Sequence, residues 1–224
     1  MTPAAVVVDL DDTLYPQAAY LAGAADAVGR AAAGAGLPGP AVGRALRREL
    51  AAGSDRGGTI DRALAACGVD PAPELVRELV AAFTAHAPAT LPRYPGADAA
   101  LAALRDRYPV ACLTDGAPAI QRAKLAATGL AAAFDAVVLS DELGGRAARK
   151  PHPAGLVAAA AALGVPADRV VMIGDRPGKD VAVARAVGAR AIRVRTGEYA
   201  RAADEPAADA TADSFTAAAA LLLT

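Results

Sequence analysis

The sequence predicts an α/β fold: a parallel sheet flanked by helices and interrupted early by an all-helical insert. Three observations support this class. A β-branched run, Val6-Val7-Val8, stands almost at the start and leads directly into Asp9-Leu10-Asp11-Asp12, the form of a buried parallel strand that ends at a polar site. From residue 97 onward, apolar runs of strand length alternate with helical stretches, the pattern of βαβ units and therefore of a parallel sheet. Between these regions, from about residue 17 to residue 90, alanine-rich helical stretches follow one another without a strand.

The elements follow in order. Residues 4–10 form the first strand. The insert reads as four or five helices, broken at the glycine- and proline-rich points 34–40, 53–58 and 68–73. After Tyr94-Pro95-Gly96 come a helix at 97–107, a strand at 110–113 and a helix at 117–128 ended by Gly129. A strand at 136–139, a helix at 153–163 ended by Gly164 and a strand at 170–173 follow. A helix at 179–187 ended by Gly188 and a strand at 191–194 complete the alternation. Glycine just past a helix takes the left-handed conformation that closes its last turn. Residues 201–213, rich in Ala, Asp and Glu, are expected as a surface loop, and 217–223 as the end of a helix. The domain division is then a core of 1–16 and 92–224 around an insert of 17–91.

Composition narrows the function classes. A chain of 224 residues holds one large domain, or one domain with a small insert. With 54% hydrophobic but only 4% aromatic residues, its core must be built from Ala, Val and Leu. Basic and acidic residues balance at 23 against 24, which leaves no electrostatic footprint for nucleic acid. Cys67 and Cys112 are far apart and form no CxxC, so two reduced thiols in a cytoplasmic protein are expected, with Cys112 packed in a strand. No basic region followed by an apolar stretch opens the chain, which argues against a signal peptide, and the apolar run 158–165 is too short to span a bilayer. The expected partner is a small molecule bound by a monomer or homodimer, with neither nucleic acid nor membrane involved.

Four fragments carry the chemistry. They are Asp9-Leu10-Asp11-Asp12-Thr13, then Leu113-Thr114-Asp115-Gly116, then Lys150-Pro151, and finally Gly174-Asp175 with Asp180 just beyond. Each falls at the end of an expected strand or in the turn after it, where open α/β sheets bind ligands. Together they suit in-line attack on phosphorus. Two carboxylates stand two residues apart, a hydroxyl and an ammonium can hold a phosphoryl oxygen, and a last acidic pair can hold a metal.

This set, in this order, resembles the haloacid dehalogenase superfamily, most of whose members are Mg2+-dependent phosphatases. The resemblance runs from residue 6 to about residue 196 and implies a Rossmann-like core with the insert as a helical cap. It assigns Asp9 as the nucleophile that forms an aspartyl phosphate, and Asp11 as the acid and base. Asp9, Asp175 and the Asp11 carbonyl would hold Mg2+ with a phosphate oxygen and waters. Thr114, Asp115, Gly116 and Lys150 would bind the phosphoryl group. Many relatives have Asn where this chain has Asp115. A carboxylate there would be repelled by phosphate, so Asp115 is expected to turn away and offer only its N–H.

Other residues keep two readings. Asp180 either orients the metal ligands or Lys150, or complements a helix dipole. Asp12 is expected to bond to local backbone in the turn and Thr13 to support the nucleophile loop. Arg149 competes with Lys150 by position, and His152, between two prolines, reads as a surface residue. Arg56, in the glycine-rich turn 51–59, either reads the substrate's leaving group or sits in a solvated turn.

The resemblance implies a phosphatase acting on a small phosphomonoester such as a sugar phosphate or nucleotide. The alternatives are a phosphomutase or other phosphotransferase, a 2-haloacid dehalogenase, and a non-catalytic binding protein. A dehalogenase needs no metal and typically lacks an acid at the position of Asp11. A binding protein would be expected to have lost one of the site residues.

Overall fold

The computed structural model describes residues 3–224. The chain divides into two compact units, one holding the described residues up to Pro16 together with Thr90–Thr224, the other Gln17–Ala89.

The first unit is built on six parallel strands: β1 (Ala5–Val8), β2 (Val110–Thr114), β3 (Ala136–Leu139), β4 (Val170–Gly174), β5 (Arg190–Val194) and β6 (Ala210–Ala212). Their order is β3-β2-β1-β4-β5-β6. The chain winds outward from β1 through β2 and β3, then returns to β4 on the other side of β1. Val6 is in register with Val110 on one side and Val171 on the other. The order therefore reverses between β1 and β4, and a crevice opens at the carboxyl ends of strands at such a point. Asp9 and Asp175 each follow one of these two strands.

Strand composition explains the stack. All four residues of β1 are fully buried, as are those of β2 and β4 within a few per cent, because helices cover both faces of a parallel sheet. The second unit packs α1 (Gln17–Gly34), α2 (Gly39–Ala51), α3 (Thr59–Ala65) and α4 (Pro73–Thr84) around Val28, Val42, Leu46, Leu64 and Leu79. The remaining helices belong to the sheet unit: α5 (Ala97–Arg105), α6 (Pro118–Thr128), α7 (Asp141–Gly144), α8 (Ala154–Ala162), α9 (Ala182–Ala186) and α10 (Phe215–Leu223).

Two segments differ from the sequence expectation. Residues 201–213 are not wholly loop, because Ala210–Ala212 forms the sixth strand beside Ile192–Val194. Asp209 fastens it: its backbone N–H donates to the Ala191 carbonyl at 3.0 Å, and its carboxylate accepts from the Ala191 N–H at 2.8 Å. Three small residues on an edge carry no alternation long enough to read as a strand. The helix expected at 179–187 is instead a π turn at Pro177–Val181 followed by the short α9. No helix among the described residues is long and apolar enough to cross a membrane.

Packing of α1 on α2 depends on glycine. A Cβ at Gly39 would lie 2.2 Å from the Gly29 carbonyl oxygen and 2.7 Å from the Ala33 Cβ. At the first position of α2, helix propensity alone would favour Gly39→Ala by less than the roughly 1 kcal/mol of a helix interior. The backbone clash should reverse that sign, so the substitution is expected to destabilise by about 1–3 kcal/mol. A lowered urea midpoint with an unchanged slope is the expected readout; a raised midpoint would show that the two helices do not meet this closely.

Candidate active site

The site is assembled where β1, β2 and β4 end. Asp9 is the first residue past β1 and is still paired to the sheet, its N–H donating to the Ile173 carbonyl at 2.9 Å. Its carboxylate accepts from the Lys150 ammonium at 2.5 Å. Lys150 also donates to Asp180 at 2.6 Å and to the Leu113 carbonyl at 3.3 Å. Three N–H donors thus meet three acceptors, one from each of three chain segments. Asp180 spends its other oxygen on the Arg176 N–H at 2.9 Å, which closes the turn after β4. Only glycine fits at the mouth of that turn, since a Cβ on Gly174 would stand 2.2 Å from the Asp180 carboxyl carbon.

Asp175 completes an acidic cluster. Asp9, Asp175 and Asp180 each offer a carboxylate oxygen within 4.8 Å of the others, and all three are buried. Asp175 Oδ1 is buried without a hydrogen-bond partner. Burial, then the neighbouring charges of Asp180, Asp9 and Asp12, push the Asp175 carboxyl far up, with Arg176 opposing. Asp9 is pushed up to about 7, chiefly by burial; Lys150 opposes this, and Asp180 and Asp11 add to it. Burial draws the Lys150 ammonium down, but Asp180, Asp9 and Asp115 outweigh it and hold it well above its usual range. Several buried carboxylates thus share one ammonium, and Asp175 retains an unsatisfied oxygen. That donor set fits a hard divalent cation bound by oxygen.

Asp11 has a different environment. Its carboxylate accepts from the Tyr15 hydroxyl at 2.5 Å, from the Gln121 amide at 3.0 Å and from the Lys124 ammonium at 2.8 and 2.9 Å. Burial would raise its pKa, but the Lys124 charge and these hydrogen bonds together hold it below the ordinary value. The same Gln121 nitrogen donates to Thr114 Oγ1 at 2.5 Å.

The remaining expected residues take distinct places. The Asp115 carboxylate accepts from the Ser140 hydroxyl at 2.8 Å and the Lys150 N–H at 3.1 Å, with Lys179 at 3.5 Å. The backbone of Gly116 hydrogen-bonds Asp141, whose carboxylate also holds Arg149 in a bidentate pair at 2.6 and 2.7 Å. Arg149 is thereby committed away from the acidic cluster. His152 is exposed and accepts from the Ala154 N–H at 3.2 Å. Asp12 does not bond only within its own turn. At φ 55° it directs its carboxylate to the Glu198 N–H at 3.1 Å, and its carbonyl accepts from the Thr196 hydroxyl. Gly197 makes room, since a Cβ there would lie 1.9 Å from the Asp12 carboxyl carbon. Arg56 belongs to the helical unit, where it is exposed in the bend between α2 and α3 with its side chain folded against Gly53.

Residues 3–188 match the haloacid dehalogenase-like hydrolase family. The chain belongs to that family. It is 35% identical over 201 residues to a glyceraldehyde 3-phosphate phosphatase of Methanopyrus kandleri, covering 87% of this chain and 85% of the relative. It is 38% identical over 195 residues to a phosphoglycolate phosphatase of Rhodospirillum rubrum, covering 83% and 77%. Its fold also matches the crystal structure of a 2-haloacid dehalogenase from Pseudomonas syringae, at TM-score 0.67 and 25% identity over 99% of this chain and 98% of that one.

Sequence reasoning about this haloacid dehalogenase-like hydrolase passes over Tyr15, Gln121 and Lys124. A signal for two of them exists. Gln121 and Lys124 are three residues apart on α6, so they share a face with Leu125 and Thr128, and all four are buried. Two long polar side chains on the buried face of a helix need polar partners, and only a motif elsewhere in the chain can supply them.

Proposed function

We propose that this hydrolase is a Mg2+-dependent phosphatase that cleaves a small phosphomonoester through an aspartyl phosphate on Asp9. The observation that carries this reading is the pair of unlike carboxylates. Asp9 lies against Lys150, while Asp11, two residues on, lies in a separate ring of donors. Two acids held in different environments can take different roles, and a cation held by Asp9 and Asp175 would keep Asp9 ionised for attack. The phosphatase names of the two relatives above support the same reading.

The proposed chemistry balances in two steps. An Asp9 carboxylate oxygen forms a bond to phosphorus as the bond to the substrate oxygen breaks, and the Asp11 carboxyl gives its proton to the departing alkoxide. Water then attacks phosphorus and loses its proton to Asp11, Asp9 leaves as a carboxylate, and phosphate is released. The Thr114 hydroxyl donates to a phosphoryl oxygen, and Lys150 does the same on giving up one of its three present acceptors. Asp180 orients Lys150. Mg2+, held by Asp9, Asp175 and the Asp11 carbonyl, would supply positive charge against the phosphoryl oxygens. Halide displacement from a haloacid is the reading that the Pseudomonas syringae neighbour suggests, but it leaves Asp11 and the unsatisfied Asp175 oxygen without a task.

A phosphate-release screen with Mg2+ over sugar phosphates, phosphoglycolate, glyceraldehyde 3-phosphate, nucleotides and flavin mononucleotide tests the activity. On the best substrate, Asp9→Asn keeps the shape but removes the nucleophile, and kcat is expected to fall by at least about 10^3-fold. Near-wild-type turnover would remove Asp9 from the mechanism.

Metal dependence gives a second test. Treatment with EDTA should abolish phosphate release, Mg2+ should restore it and Ca2+ should not, because Ca2+ takes more ligands at longer distances. Full activity in EDTA would turn the assignment toward metal-free displacement.

Arg56 is proposed to contact the leaving group. Gly53, Gly57 and Gly58 all have positive φ, so the bend that carries it can approach a ligand closely. Arg56→Ala should raise KM for the natural substrate more than it lowers kcat, and should leave p-nitrophenyl phosphate nearly unchanged. Equal effects on both substrates would assign the bend to solvent.

A further inference from the structure

We infer that Lys124, with Tyr15 and Gln121, is a positioning residue that aims the Asp11 carboxyl for both proton transfers. The inference rests on the phosphatase reading above. It begins from an asymmetry of composition. Of the 23 basic residues only three are lysine, Lys124, Lys150 and Lys179, and the rest are arginine. Each lysine faces an aspartate of the motif loops: Asp11, Asp9 with Asp180, and Asp115. A compact ammonium on a thin stem fits a buried carboxylate where a planar guanidinium does not.

Lys124 is not placed there for stability. Its side chain is 4% exposed and that of Asp11 17%. Burying such a pair gains little over apolar packing, because desolvation offsets the attraction. An apolar residue at 124 alone would leave the Asp11 carboxylate without its charged partner, so the lysine is there for that carboxylate and not for packing. The geometry also fixes more than one hydrogen bond. A carboxylate only accepts, so the Gln121 group facing Asp11 must be its NH2, which sets the orientation of the amide. The same NH2 donates to Thr114 Oγ1. The Thr114 oxygen therefore accepts from inside the protein, and its own hydroxyl hydrogen is left to donate to a phosphoryl oxygen. One helix face thus sets both the acid/base carboxyl and the hydroxyl beside it.

The donors engage both oxygens of Asp11 and leave little freedom for the carboxyl to swing, and one of them gives up its bond when Asp11 carries the proton. Without Lys124 the carboxyl loses two of its four hydrogen bonds, and its place relative to the substrate oxygen is lost. Steps that need Asp11 should slow, while steps that do not should continue.

Lys124→Met keeps the stem and removes the ammonium. On an alkyl phosphomonoester, kcat is expected to fall about 10–10^2-fold with KM within about threefold. With p-nitrophenyl phosphate, whose leaving group departs without a proton, the single-turnover burst of p-nitrophenol should change by less than about threefold. The discriminating measurement is a double-mutant cycle with Asp11→Asn. If Lys124 acts through Asp11, Lys124→Met should add almost nothing in that background. Additive losses, or an unchanged kcat in the single variant, would overturn the inference. Should Lys124→Met fail to fold by circular dichroism, Tyr15→Phe enters the same cycle, with a smaller loss and the same non-additivity expected. A wild-type chain that turns over no phosphomonoester removes both readings; one that does, with an unaffected Lys124→Met, removes only this one.

Discussion

The ammonium of Lys150 is the point on which the rest of the site depends. It is buried, and its three donors reach Asp9, Asp180 and the Leu113 carbonyl, so the ends of β1 and β2 and the turn after β4 are tied to one atom. Each of these groups would be costly to bury alone. The strand order brings them close enough to satisfy one another. The order reverses between β1 and β4, so Asp9 and the Asp175 turn are neighbours by construction. Gly174 then lets Asp180 fold back to within reach of Lys150. The ion network and the sheet topology therefore require each other.

Around that centre the protein separates two carboxylates that lie two residues apart. Asp9 sits with other acids and a single ammonium, and burial pushes its pKa up. Asp11 is buried too, but the Lys124 charge and a ring of four hydrogen bonds outweigh burial and lower its own. The difference is made by environment, since the residues are identical. The elements that make it are distinct. Asp9 is set by the sheet and the Lys150 loop, and Asp11 by α6.

The legible parts of this fold are those with strong local signals. β1, β2 and β4 are runs of apolar residues buried on both faces, and their last residues point to the crevice whatever the details of packing. Asp9, Thr114 and Asp175 can therefore be read as strand-end residues facing one crevice. Less legible is anything held by long-range polar contact. Ala210–Ala212 pairs as a strand because Asp209 is held by Ala191 and Arg185, neither of which is near in sequence. Asp12 looks like a local turn residue but is occupied by residues 196–198. Lys124 and Gln121 share a face of α6 with Leu125, but their partner Asp11 lies 113 and 110 residues away.

The same distinction explains why the lysines are informative and the arginines are not. Most arginine ion pairs here lie on the surface, such as Arg77 with Glu74 and Arg185 with Asp209, and such pairs contribute little. Arg193 is an exception, fully buried against Asp204 and the Tyr199 carbonyl, where it pins the loop after β5. Even there it acts as a fork that gathers backbone and side chain. Lys124 and Lys150 act differently: each places one small charge against an acid near the centre of the site. A chain that otherwise satisfies its carboxylates with guanidinium groups has kept ammonium groups where there is space for a stem and one charged atom. That requirement belongs to the site, and it reaches from the nucleophile loop through Asp115 to α6.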